Sequence, residues 1–210
     1  MGRKFQENFD PDELAQCLTR KRLRPYLEEA REEWCAAFGL YERNLLWSAR
    51  LWIVMHLFEV TLRNRVDQTL SGCFGRDWLM PERELLRPRE VEKVWEARET
   101  LERYKGKATR DGIIAELNFG FWVFLFSRKY DDRERAFWRK ALYRLFPGQS
   151  RRNVHDTLEE IRKLRNRVAH HERIHQPERA REMLFDMLNR LSPEMGDWAT
   201  GIEMHLEPMT

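Results

Sequence analysis

Apolar residues recur at three- and four-residue steps along most of the chain, which is the spacing of one face of an α-helix. The clearest stripe lies between residues 42 and 70 and consists of Leu51, Met55, Phe58, Leu62 and Val66. A second stripe follows Ser150 and consists of Val154, Leu158, Ile161, Leu164 and Val168. The pattern predicts an all-α bundle of about seven helices.

Prolines, glycines and capping residues predict where these helices begin and end. Asp10-Pro11 starts a helix that is interrupted near Pro25 and ends by Gly39. Ser71-Gly72 ends the long helix that carries the first stripe. Further helices are predicted over residues 88–104, 113–117, 133–146, 151–168 and 177–191. No linker is long enough to separate two domains, so residues 1–210 are expected to form one domain.

The sequence pattern leaves the secondary structure of two segments undecided. The uncharged aromatic run over residues 119–124 fits a helix or a strand, and its neighbours favour a helix. Residues 193–210 are expected to be a peripheral tail or a short helix. The tryptophans are expected in the core rather than as platforms for base stacking, namely Trp47, Trp52, Trp122 and Trp138.

Composition narrows the class of protein. The net charge is +3, although 30 of the 38 basic residues are arginine, whose planar fork suits phosphate. Cys17, Cys35 and Cys73 form no CxxC pair, which favours a reducing compartment over a disulfide scaffold. The N-terminus has no apolar signal core, and the uninterrupted apolar runs are shorter than the ~18 residues of a membrane span. A soluble, cytoplasmic protein without a cofactor is therefore expected.

Candidate chemistry is concentrated in residues 165–175, which read RNRVAHHERIH. Histidine titrates near neutral pH and suits proton transfer, and arginine stabilises a phosphate whose charge rises in a transition state. His170, Arg165 and Asn166 therefore fit RNA cleavage without a metal. One group would take the proton from the ribose 2′-OH, another would protonate the leaving 5′ oxygen, and a cation would stabilise the phosphate.

The same segment also matches the HExxH zinc signature, from His171-Glu172 to His175. Two arginines, Arg167 and Arg173, disfavour a bound cation there. Pro177 indicates that the helix needed to present both histidines is ending. A metallohydrolase is the weaker alternative, and no metal ligand is assigned.

Helical geometry sets a condition on the ribonuclease hypothesis. At ~100° per residue, Asn166 and His170 lie about 40° apart, but Arg165 and His170 lie about 140° apart. Arg165 also falls within the apolar stripe, where a half-buried guanidinium needs an anion, and Glu59 of the long helix is the hypothesised partner. A long reach of Arg165, a helix end near His170 or a second subunit would have to bring the catalytic groups together.

A five-residue repeat connects the two stripes. The sequence LRNRV occurs at residues 62–66 and again at 164–168, and only the second copy is followed by histidines. Five residues do not establish a duplication, so coincidence and a structural repeat are both open.

The segment RNRVAHHERI resembles the RNxxxH form of the Rx4–6H motif of the HEPN superfamily, and more narrowly the C-terminal signature of the Abi-like (abortive infection, Abi-2/AbiD/AbiF type) proteins. Leu57–Asn64 and the aromatic segment Asn118–Trp122 resemble two further segments of that family, in the same order. The resemblance covers roughly residues 10–192.

The resemblance implies a HEPN-like helical bundle and a homodimer with both motifs near the interface. It also implies a metal-independent endoribonuclease that acts in phage defence or as a toxin, restrained by an antitoxin or guide-like partner of protein or RNA. Arg165 and His170 carry over as catalytic residues and Asn166 as their support. Expected further residues are Glu59, Arg63 and Asn64 as support, and Arg167, His171 and Arg173 as RNA contacts. A non-catalytic RNA-binding or assembly module is the alternative.

Overall fold

The computed structural model describes residues 10–132 and 135–206. Within these ranges the chain is all-α and has no strand, as predicted. The ten α-helices are α1 (Pro11–Leu18), α2 (Arg20–Glu29), α3 (Trp34–Phe74), α4 (Pro88–Lys105), α5 (Arg110–Glu116), α6 (Phe119–Phe124), α7 (Phe137–Lys140), α8 (Arg151–Ala169), α9 (Pro177–Leu191) and α10 (Pro193–Leu206). The expected number of about seven was too low.

The central helix α3 organises the core. Its predicted apolar stripe is buried throughout, and it packs against α6, α8 and α9. The stripe of α8 is also buried, and α6 contacts both α3 and α8, with Phe121 and Trp122 fully buried. The aromatic run is thus a helix, as its neighbours indicated. These contacts place α8 and the residues that follow it along one side of α3.

The N-terminal boundaries differ from the prediction. Pro25 lies inside α2, and the chain breaks instead at Thr19 and at Arg31-Glu32, three residues with positive φ. Gly39 lies within α3, because its helix penalty of about 1 kcal/mol is smaller than the gain from packing at this turn. There α2 and α3 share a small apolar cluster of Leu23, Tyr26, Leu27, Ala37 and Phe38.

The helix predicted over residues 133–146 was wrong. Its expected start at Arg133 lies outside the described residues. Beyond it, Ala136 has a left-handed backbone, α7 covers only four residues, and a 3₁₀ turn follows at Leu142–Leu145. Phe137 contacts the rings of Phe74, Trp78 and Tyr130, so tertiary packing overrides the local helical pattern.

Residues 193–206 form a helix rather than a peripheral tail. α10 packs on α9 and α3, and Ala199 is fully buried in that contact. Residues 207–210 lie outside the described part of the chain. The long helix α3 ends at Phe74, a few residues after the predicted Ser71-Gly72, and Gly75 follows it with a positive φ.

One helix in the described ranges, α3, contains an 18-residue window long and apolar enough to cross a membrane. The uninterrupted runs considered above did not reveal this window. A third of the window is buried inside the protein, and core helices pass the same test.

Candidate functional site

The residues predicted to carry chemistry lie where α8 ends. Ser150 caps its first turn by accepting a hydrogen bond from the Asn153 amide, and the helix continues to Ala169. His170 is the C-terminal cap, and its amide still donates to the Asn166 carbonyl at 2.9 Å. His171 has a left-handed backbone with φ of 57°, so the chain leaves the helical path directly after His170.

Residues 170–176, here called the histidine loop, are held from two sides. The Ile174 amide donates to Asn44 Oδ1 of α3 at 2.8 Å in a buried environment. From α2, Arg22 Nη1 donates to the His171 carbonyl at 2.6 Å. The loop conformation therefore depends on both α2 and α3.

Arg173 is a second link between the histidine loop and α2. Its Nη1 donates to the Pro25 carbonyl at 3.0 Å, its Nη2 forms an ion pair with Glu29, and its guanidinium lies 5.4 Å from the centre of the Tyr26 ring. Burial raises the pKa of the Tyr26 hydroxyl, and the nearby Arg173 charge opposes that shift. Arg173, expected to contact RNA, is thus largely engaged within the protein.

A cleft of about 400 Å³ separates the histidine loop from α2, and we call it the histidine cleft. His170 and His171 line it and are both exposed. The other charged residues in its lining are Lys21, Arg22, Glu172 and Arg173. Because Arg173 is already paired with Glu29, Lys21 and Arg22 are the cations that make this cleft suitable for an anion.

A second cleft of about 190 Å³, here called the arginine cleft, lies between α3 and α8. The hypothesised pair is present there, with Arg165 Nε 3.7 Å from Glu59 Oε2. Arg63 lines the same cleft, so three of the predicted site residues lie together there. The complete lining is Trp52, Met55, His56, Glu59, Val60, Arg63 and Arg165.

Other predicted residues lie elsewhere. Arg167 lines a third cleft of about 230 Å³ together with His175 and Lys163. Asn64 and Asn166 are exposed and line none of these three clefts.

Arg165 and His170 therefore line different clefts, as their angular separation on α8 predicts. Of the conditions considered for bringing them together, a helix end near His170 is present in the structure. That helix end alone leaves the two side chains in separate clefts.

The HExxH letters do not lie on a helix. α8 ends before His171, and residues 172–174 have no helical structure, so His171 and His175 are not presented on one helical face. Within the described ranges, no three His, Cys, Asp or Glu side chains are grouped as metal ligands. The helix therefore ends before the HExxH letters, as Pro177 indicated.

Two residues of the arginine cleft were missed or misassigned. His56 was not singled out, and Trp52 was expected in the core although 43% of it is exposed. Their signal was the spacing of residues 52, 56, 59 and 63, which places four polar or aromatic side chains on one face of α3.

We compared the chain with protein families, with curated proteins and with solved structures, and none of the three comparisons gave a match.

Proposed function

We propose that this protein is a metal-independent endoribonuclease, an Abi-like member of the HEPN superfamily with a HEPN-like bundle that acts on RNA in phage defence or as a toxin. The observation that carries the proposal is the histidine cleft, where two exposed imidazoles lie beside Lys21 and Arg22. Imidazole and cationic groups together are what phosphodiester cleavage without a metal requires.

In the proposed reaction the ribose 2′ oxygen attacks phosphorus while a base removes its proton. The bond from phosphorus to the 5′ oxygen breaks, and an acid protonates that oxygen. The products are a 2′,3′-cyclic phosphate and a free 5′-OH. His170 supplies a proton-transferring imidazole, Arg165 a phosphate contact, and Asn166 orients the histidine.

Because Arg165 and His170 line different clefts, we propose that a homodimer supplies them to one RNA, with each subunit contributing one group. An antitoxin or guide-like partner would restrain this activity in the cytoplasm. The same separation favours a second candidate function, a non-catalytic RNA-binding or assembly module. In that case the cations would bind RNA and no cleavage would follow.

The test is cleavage of an end-labelled single-stranded RNA by the full chain in EDTA. His170→Ala and Arg165→Ala should each lower the rate by about 10²- to 10⁴-fold, the usual contribution of a proton-transferring or phosphate-stabilising group. Matched controls on α8 are His155→Ala and Arg162→Ala, the latter paired with Glu159. These controls should cleave at the rate of the unmodified protein.

The outcomes separate the candidates. Cleavage that survives both His170→Ala and Arg165→Ala would refute the mechanism. RNA binding by the unmodified protein without any cleavage would establish the binding module instead. Activity that disappears in EDTA and returns with zinc would favour the metallohydrolase. Mixing the two inactive variants should restore part of the activity if two subunits complete one site.

A further inference from the structure

The arginine cleft has its own set of polar and aromatic groups, separate from the histidine loop. Trp52, His56, Glu59 and Arg63 follow one another at steps of three and four residues, so α3 presents them on one face. Arg165 reaches the same cleft from α8. The cleft thus joins two guanidinium groups, one imidazole and one indole around a single carboxylate.

Both guanidinium groups of the cleft have unused donors. Arg165 Nε and Arg63 Nε are buried and lack a hydrogen-bond acceptor among the described residues. Arg165 approaches Glu59 only at 3.7 Å, and Arg63 has one longer bond, from Nη1 to the Ala115 carbonyl at 3.3 Å. A guanidinium carries five N–H donors, so each group keeps a buried Nε donor that a ligand in the cleft could use.

Arg110, an arginine with a structural role in the same chain, has a much fuller set of hydrogen-bond partners. Arg110 forms a two-pronged pair with Asp67, at 2.5 Å from Nη2 to Oδ1 and 3.1 Å from Nη1 to Oδ2. It also donates to Ser71 Oγ at 2.9 Å and to the Arg76 carbonyl at 2.6 Å. Arg110 thus has partners for each of its three nitrogens, whereas the arginine cleft holds two guanidinium groups and one carboxylate, which is 3.7 Å from Arg165. That imbalance favours an added anion.

Trp52 adds an aromatic surface to the cationic cleft. It is 43% exposed, and the Arg165 guanidinium lies 5.7 Å from the centre of its ring. Nucleobases stack on exposed indoles regardless of sequence. His56 is exposed one turn further along α3 and offers a donor at the same cleft. A ligand with an aromatic ring and an anionic group a few ångströms apart matches these features.

We propose that the arginine cleft binds one nucleotide unit of single-stranded RNA. Its phosphate lies between Arg63 and Arg165, its base stacks on Trp52, and His56 donates to a phosphate oxygen. This assignment rests on the proposed function for the choice of RNA. It adds a subsite that the RNxxxH segment alone does not contain.

The test measures binding without cleavage. The probe is a short fluorescein-labelled 2′-O-methyl oligouridylate, which lacks the attacking 2′-OH, and the readout is fluorescence anisotropy with the full chain. Trp52→Ala should raise the Kd about 5- to 150-fold, the usual loss for one stacked base. Arg63→Gln should weaken binding and reduce the slope of log Kd against log salt by about 0.7, the loss of one phosphate contact.

Helix α4 offers a matched control pair. Trp95 is 41% exposed, and Arg98 lies 5.3 Å from the centre of its ring while paired with Glu102. Trp95→Ala and Arg98→Gln remove the same chemical groups elsewhere on the surface. Both should bind the probe like the unmodified protein. Circular dichroism of every variant shows whether the fold is retained, and Arg63→Lys gives a second, less disruptive change at that position.

The binding results test the subsite separately from the ribonuclease proposal. No binding by the unmodified protein, unchanged binding by Trp52→Ala, or an equal loss in Trp95→Ala would overturn the subsite. Binding that depends on Trp52 and Arg63, in a protein that cleaves no RNA, would support the subsite while the ribonuclease proposal fails. Cleavage that needs His170, together with probe binding that does not change in Trp52→Ala or Arg63→Gln, would support the ribonuclease proposal and overturn the subsite.

Discussion

Asn44 provides the sharpest test of how the histidine loop is held. Its side-chain oxygen accepts the hydrogen bond of the Ile174 amide at 2.8 Å, across 130 positions of the sequence. Asn44 is 8% exposed and Ile174 is 6% exposed, so water cannot readily replace the acceptor. Asn44→Ala therefore leaves a buried N–H group without a partner.

The size of the effect follows from that lost acceptor. An unsatisfied buried amide costs about 1–3 kcal/mol of unfolding free energy. For a chain of this length each kcal/mol lowers the Tm by about 2–4 °C, so Asn44→Ala should melt about 2–12 °C lower. Urea unfolding followed by tryptophan fluorescence gives the free energy. Amide hydrogen exchange at Ile174 reports the loop directly and should become faster.

Ser48 serves as the control one turn further along α3. Its hydroxyl donates to the carbonyl of Asn44, a bond within the helix whose loss leaves no buried donor behind. Ser48→Ala should change the unfolding free energy by less than about 0.5 kcal/mol. Equal effects of the two variants, or an unchanged exchange rate at Ile174 in Asn44→Ala, would refute the role of Asn44 as the anchor of the loop.

Two further predictions concern the loop and the core. Arg173→Ala removes the contacts with Glu29 and the Pro25 carbonyl, so limited proteolysis should cut the histidine loop faster; unchanged cutting would refute the link to α2. Burial raises the pKa of Tyr130 above the ordinary value of 10.0, so its neutral hydroxyl stabilises the fold below pH 10 and that stability is lost as the pH rises further. Tyr130→Phe should therefore flatten the alkaline loss of stability in urea unfolding. At pH 8 it should also cost about 1–3 kcal/mol, because the hydroxyl donates to Glu90 and accepts a hydrogen bond from the Arg87 amide; an unchanged alkaline limb would contradict this.

Periodicity predicted the elements that govern the site. The stripes of α3 and α8 are buried as expected, and Pro88, Ser150 and Pro177 begin or cap helices where proposed. These signals are local, because a cap or a proline acts on the turn in which it lies. The long segments α3 and α8 were accordingly the most predictable.

Boundaries set by distant contacts were not predictable in this way. Gly39 and Pro25 disrupt a helix when considered alone, yet packing of α2 on α3 holds both within helices. Phe137 ends up in a short broken segment because three aromatic rings surround it. Such contacts arise only after the chain has folded.

In the candidate site, too, some residues could be predicted from the sequence and others could not. Glu59 was identified as the partner of Arg165 because a half-buried guanidinium within the α8 stripe needs an anion, and Glu59 lies at the edge of the α3 stripe. Trp52 was assigned to the core by its residue type, although its position next to His56 on one face of α3 places it at an open cleft. Residue type indicated burial, whereas position on the helix determined exposure.

The two copies of the pentapeptide LRNRV have the same burial pattern but different residues after them. In both copies the leucine and valine are buried, the first arginine is half-buried, and the asparagine and second arginine are exposed. The two first arginines, Arg63 and Arg165, consequently meet in one cleft where α3 and α8 pack together. After the first copy the helix continues, and Asp67 pairs with Arg110. After the second copy the helix ends, and the exposed His170 lines a different cleft. The residues that follow each copy, and not the copy itself, therefore determine whether an imidazole lies at the end of the segment.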